Sequence, residues 1–222
     1  MYQFNFRPIV DNLDMLIYGA WLTVQLSFSA MVIGLVVSVA GAVAKTSGIA
    51  PLRWLADVYV EVIRNTPFLI QIFFIFFGLP AVGISMSPNT AALVALVINV
   101  GAYGTEIIRA GIESIPRGQI EAGRALALSP VQIFRHVVLK PALRNIYPSL
   151  TSQFIYLMLT SSVVSVISAN DLAAAGADLS ARTFASFEIY LVLTLMYFVL
   201  SLGFSSLFGA LQRMFFNYPA SR

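Results

Sequence analysis

An all-α integral membrane domain with five spanning helices is the fold this sequence predicts, and three observations predict it. Hydrophobic residues make up 59% of the 222 positions and charged residues only 10%, against about 45–50% and about 25% in soluble domains. Apolar runs of the ~20 residues needed to cross a ~30 Å hydrocarbon layer recur along the chain, and mean hydropathy is +0.84. Lysine and arginine fall on alternate connections between those runs, the bias that orients membrane proteins.

The elements follow in order. Met1 to Met15 carries one Arg and two Asp and runs into an apolar stretch too long for a signal-peptide core. It is expected to be retained as a short interfacial segment, with Tyr2, Phe4 and Phe6 among the headgroups. A 19-residue window places spans at Leu16–Ala44, Tyr59–Leu79, Thr90–Ile108, Ile146–Ile167 and Ile189–Leu211. One set of connections, with the C-terminus, holds Lys45, Arg53, Arg64, Arg109, Arg117, Arg124, Arg135, Lys140, Arg144, Arg213 and Arg222; the other holds only Arg7 and Arg182. The N-terminus is therefore expected outside and the C-terminus in the cytoplasm, as an odd number of spans requires. Residues 1–222 read as one multi-pass transmembrane domain, and no connection is large enough for a soluble catalytic domain.

Composition excludes several chemistries. The chain has no cysteine, so it has no disulfide framework, thiolate nucleophile or cysteine-based metal site. Its single histidine, His136, builds no cluster, and the net charge of +3 is spread too thinly for a nucleic-acid surface. There is no internal repeat, so any two-fold arrangement around a path requires a second chain.

The long connection after the third span is the most informative stretch. Its residues predict two short helices joined by a turn. Ser114 is the expected cap of the first, with Pro116 in its opening turn. Ser129, with Pro130 at the first position and Gln132 at the third, makes a capping box for the second. Between them Glu121-Ala122-Gly123-Arg124-Ala125-Leu126-Ala127-Leu128 reads as a helix of small residues with apolar anchors at Ile120, Leu126 and Leu128, a form suited to docking in a partner's groove. The plain alternative is a loop helix lying on the membrane surface.

Here the pattern Glu121-Ala122-Gly123, three residues, Ala127, and nine residues before Val137-Val138-Leu139 resembles the EAA loop of permease subunits of bacterial ABC importers. Arg64-Asn65-Thr66-Pro67-Phe68-Leu69-Ile70-Gln71 with Phe77-Gly78-Leu79-Pro80 is similar to the second-span signature of the branch that imports polar amino acids. Ala102-Tyr103-Gly104-Thr105-Glu106-Ile107-Ile108-Arg109-Ala110-Gly111-Ile112, Gln153-Phe154-Ile155 and Ser165-Val166-Ile167 continue the match, which covers about residues 15–213. Ala127 stands where that family usually has glycine, so the turn after the helix is expected to manage without left-handed freedom. Leu159 and Thr160 stand where many relatives have a lysine and an acidic or amide residue.

The resemblance implies a multi-pass subunit of a bacterial inner membrane that is not an enzyme and holds no cofactor, with ATP and Mg²⁺ on a partner. The chain's own residues agree: a P-loop needs glycines six and one positions before its lysine, and the Lys45-Thr46 pair has Val39 and Ala44 there. The implied partners are an ATP-binding cassette ATPase dimer, a second permease chain (identical or different), a periplasmic solute-binding protein and membrane lipid. Glu121, Ala122, Gly123, Arg124, Ala127 and Leu128 are the implied ATPase-coupling residues. The bland alternative for Glu121 is a surface acid paired with Arg117 or Arg124. Gln71, Asn99, Tyr103, Thr160, Ser161, Ser162 and Ser165 are candidates for a substrate path, since polar groups at membrane depth line paths or bond neighbouring helices. Glu61 with Arg64, and Glu106 with Arg109, are expected as i,i+3 ion pairs anchoring helix ends. Competing readings are a permease of the same superfamily for another small solute, a secondary transporter, or a membrane enzyme. The last two require charged relays or a catalytic cluster deep in the spans, and the sequence offers neither.

Overall fold

In the computed structural model, which describes residues 4–215, all regular structure among the described residues is helical. Eight elements carry the fold: α1 (Leu13–Thr46), α2 (Ala50–Arg64), α3 (Phe68–Val82), α4 (Pro88–Glu113), α5 (Arg117–Ala125), α6 (Pro130–Ile167), α7 (Leu172–Thr183) and α8 (Ser186–Phe215). A single turn at Arg7–Val10 precedes α1. Four of these, α1, α4, α6 and α8, are long and apolar enough to cross a membrane, and α2 with α3 makes a fifth if the bent pair counts as one span. Of the proposed headgroup residues Phe4 and Phe6 are exposed, while Tyr2 lies outside the described residues.

The bundle is built on α1 against α4. The buried stripe of α1 is Leu16, Gly19, Thr23, Ser27, Ala30, Gly34, Ser38 and Ala42, small residues at helical spacing that let two backbones approach. A Cβ on Gly34 would overlap the Val100 side chain, and one on Gly104 would overlap Ser38 Oγ. In that tight seam Ser38 Oγ donates to Val100 O at 3.3 Å and Thr105 Oγ1 donates to Ser38 O at 3.3 Å. The core beside it gathers Ile72, Ile75, Leu96, Val100, Leu157 and Val164 from α3, α4 and α6. A second cluster, with Leu16, Leu172, Leu179, Ile189 and Leu193, fastens α7 and α8 to the start of α1.

The continuous second span expected at Tyr59–Leu79 is broken. α2 ends at Arg64, α3 begins at Phe68, and the two meet at 108°. Pro67 supplies the cause: it has no N–H to donate and it drives Thr66 out of the helical region. Asn65 Nδ2 and Thr66 Oγ1 then turn back on the Glu61 and Val62 carbonyls, each at 2.8 Å, closing α2. The connection expected between Asn170 and Glu188 contains the twelve-residue α7, capped by Asp171, whose Oδ1 accepts from the Ala174 N–H at 2.7 Å.

One end of the bundle holds an ion cluster. Lys45 bridges Asp57 at 2.8 Å and Glu106 at 2.5 Å, and Arg109 joins Glu106 at 2.8 Å and Glu113 at 2.5 Å. The Glu106–Arg109 pair is thus formed within a wider network. Glu61 and Arg64 do not pair: Glu61 accepts from Asn65 at 2.9 Å, while Arg64 lies 4.0 Å from Glu106 and above the Tyr103 ring. The bend at Pro67 ends α2 at Arg64 and leaves that side chain aimed at α4 instead.

Candidate functional site

The segment from Ser114 to Leu139 stands at the same end of the bundle as the ion cluster. Ser114 does not cap α5. It closes α4, its Oγ donating to Gly111 O at 2.8 Å and accepting from Asn145 Nδ2 at 3.0 Å, and Pro116 takes the N-cap position of α5. The Ser129 box forms as the sequence predicts: Gln132 N–H donates to Ser129 Oγ at 3.3 Å and Ser129 N–H to Gln132 Oε1 at 2.8 Å.

Between these ends α5 is closed by a double hydrogen bond, Leu128 N–H to Gly123 O at 3.1 Å and Ala127 N–H to Arg124 O at 2.9 Å, the Schellman pattern. That pattern demands a left-handed residue at its turn, and Ala127 adopts it, with φ +54°. The expectation that alanine would bar this conformation is therefore corrected. The two terminal carbonyls gained outweigh the ~1–2 kcal/mol that a Cβ costs there.

α5 rests on one buried point. Gly123 is buried against Ile133, and Ile115, Ile133, Val138 and Ala142 form a small core joining α5 to the root of α6. The remaining coupling candidates Glu121, Ala122 and Arg124 face outward, and Leu126 is 75% exposed. Among the described residues Glu121 forms no ion pair with Arg117 or Arg124. Beside it a groove of about 440 Å³ is lined by Ile120, Arg124, Leu128, Pro130 and Phe134. Arg124 and apolar anchors thus share a groove that the chain itself leaves uncovered, and Glu121 is exposed next to Ile120 in sequence.

The path candidates do not form one group. Gln71 and Asn99 are buried and bond each other, Asn99 Nδ2 donating to Gln71 Oε1 at 3.0 Å. Tyr103 is half-buried beneath Arg64. The hydroxyls of Ser161, Ser162 and Ser165 donate to their own helix, to Met158, Leu159 and Ser162 carbonyls at 2.7–2.8 Å, as the last turns of α6 tighten to a 3₁₀ helix with Thr160 at its N-cap. Of these, Ser165 opens onto a cavity of about 610 Å³ that Asp171 also lines. Burial pushes the Asp171 carboxyl up to about 6, against the backbone N–H groups of Ala174 and Ala173 and the Tyr197 hydroxyl that favour its charge.

A better polar surface lies along α6 itself. Ser149, Ser152, Gln153 and Tyr156, at i, i+3, i+4 and i+7, line a cleft of about 510 Å³. Gln153 Nε2 is buried there without a hydrogen-bond partner among the described residues. The sequence signal was the i, i+3, i+4, i+7 spacing of four polar residues inside the span expected at Ile146–Ile167.

Residues 34–216 match the family described as binding-protein-dependent transport system inner membrane component. The chain is similar to the probable glutamine ABC transporter permease protein GlnM of Bacillus subtilis, 36% identical over 90% of this chain and 93% of that one. It is similar to the arginine transport system permease protein ArtQ of the same organism, 32% identical over 94% and 96%. A crystal structure of an amino acid ABC transporter with histidines superposes with a TM-score of 0.90 and 37% identity, covering 96% of this chain and all of that one.

Proposed function

This chain belongs to the family of inner membrane components of binding-protein-dependent transport systems, and from that premise we propose that it is the permease chain of an importer for polar amino acids. It works as a multi-pass protein of a bacterial inner membrane, with its N-terminus outside. The relatives named for glutamine and arginine support the solute class. A partner ATPase dimer supplies the free energy of ATP hydrolysis. A solute-binding protein presents the substrate, and a second permease chain completes the path.

One observation carries the coupling role: α5, closed at its C-terminus by backbone hydrogen bonds, exposes Glu121 and Arg124, with Leu126 exposed just past its end, while its inner face is anchored through Gly123 on Ile133. A lever needs that asymmetry. Force applied to the outward face passes through the small core around Ile133 into the root of α6, and so reaches the polar face at Ser149, Ser152, Gln153 and Tyr156. ATP shifts the equilibrium between inward-open and outward-open states only to the extent that the two states dock it differently.

The test is purification of this chain in mild detergent with whatever co-elutes. The expected result is an ATPase subunit at one copy per permease chain, lost when Glu121 is changed to arginine. Elution of the chain alone, under conditions that preserve such complexes, overturns the reading.

A further inference from the structure

The broken second span leaves a defect that one side chain repairs. Where α2 stops, the Ile63 and Thr66 carbonyls lose their helical donors. Gln71, in the first turns of α3, answers both: its Nε2 donates to Ile63 O at 2.7 Å, to Thr66 O at 3.0 Å and to Thr66 Oγ1 at 3.0 Å. Its Oε1 then accepts from Asn99 at 3.0 Å. Both amides are buried, at 8% and 7% exposure, and Asn99 sits near the middle of the 26-residue α4. An unsatisfied backbone carbonyl at that depth is costly, so this arrangement is held tightly.

We propose that Gln71 and Asn99 form a latch that locks the elbow of the broken span to α4, making α2, α3 and α4 one moving body during transport. Resting on the importer reading, this assigns the two amides a positioning role and removes them from the substrate path. Two more ties support it. Tyr59 OH donates to Ile98 O at 2.6 Å, and Lys45 links Asp57 of α2 to Glu106 of α4. α2 at Asp57 and Tyr59, the former through Lys45 of α1, and the first turn of α3 at Gln71 are thus fastened to α4. A bent span tied in this way cannot straighten or swing alone, so motion entering from α5 is passed on without being absorbed at the elbow.

The test uses the complete importer, reconstituted with its ATPase and binding protein, and compares Asn99→Leu, Gln71→Met and the double variant with the unaltered chain. Rate per assembled complex and ATP consumed per solute moved are both read. Each single variant is expected to assemble, to transport about 3- to 30-fold more slowly, and to consume more ATP per solute. The double variant is expected to be no worse than the poorer single one, because both substitutions break one unit. If Asn99→Leu does not assemble, Asn99→Ser, which keeps a donor on a smaller side chain, carries the same comparison. An unchanged rate and ATP ratio per assembled complex, with only the yield of complex reduced, overturns the latch. So does additivity in the double variant. Failure of the unaltered chain to transport with ATP overturns the importer reading instead.

Discussion

Two residues hold conformations or charge states that their neighbours impose on them. Ala127 is left-handed because the α5 terminus needs two carbonyls closed, although its Cβ resists that geometry. Glycine removes the clash but adds unfolded-state freedom, so Ala127→Gly is expected to stabilise the turn by about 0.5–1 kcal/mol. Slower hydrogen exchange at the Ala127 and Leu128 amides would register the gain; faster exchange would mean the Cβ is not the strained element. Asp171 is the second case. Its folded carboxyl is raised from 3.8 to about 6 by burial, so the folded state binds the proton more tightly than the unfolded one. Its contribution to stability is then full below pH 4 and is lost as pH rises through 6. Asp171→Asn keeps the N-cap acceptor for Ala174 and cannot titrate. Thermal melts of the detergent-solubilised protein should therefore lose part of their fall between pH 4 and 6 in this variant. An unaltered pH profile would show that the carboxyl is not the group responsible.

At the scale of elements, packing is governed by small residues, and this fixes what can be substituted. The α1–α4 seam leaves no volume for a side chain at Gly34 or Gly104, since Val100 and Ser38 already fill it. Gly34→Val is expected to force the helices apart and to cost about 1–3 kcal/mol or more. Gly209→Val, at a site open to its surroundings on α8, should be nearly neutral. Equal loss of melting temperature in the two would refute the seam as the bundle's tight contact. Four of the five spans were legible because a run of about twenty apolar residues has few uses outside a membrane. Pro67 was equally visible, with the polar Arg64, Asn65 and Thr66 before it, but averaging hydropathy over a window cannot see an angle. α7 was missed because Leu172–Thr183 is a short run of small residues followed by a largely polar half, a composition that only the surrounding helices turn into a packed face. The Ser129 box was legible because its chemistry is local. Gln71 and Asn99 were legible as buried polar residues, but their partners lie eight and twenty-eight positions away, so their role was not.

The whole molecule leaves a large apolar surface and a narrow polar one, and the two must face different surroundings. α8 buries only Glu188, Ile189, Leu193 and Phe208, leaving Tyr190, Leu195, Phe198, Val199 and Leu202 outward, a face that suits lipid. The polar groups of Ser149, Ser152, Gln153 and Tyr156 along that cleft would be costly against hydrocarbon. That face of α6 therefore suits water or another polar surface, and on the importer reading the proposed path is placed against it. Because the chain has no cysteine, single cysteines report their surroundings without background. In the assembled importer Ser152→Cys is expected to react with a small charged thiol reagent applied to the membrane, and transported solute should slow the reaction. Val199→Cys on α8 should stay unreacted, since a thiol against lipid is neither ionised nor reached by a charged reagent. If Val199→Cys reacts and Ser152→Cys does not, the polar face of α6 is an interhelical seam and the path runs elsewhere on the chain. Protection of Ser152→Cys by solute, absent when ATP holds the opposite state, would place the cleft on the moving side of the lever that begins at Glu121.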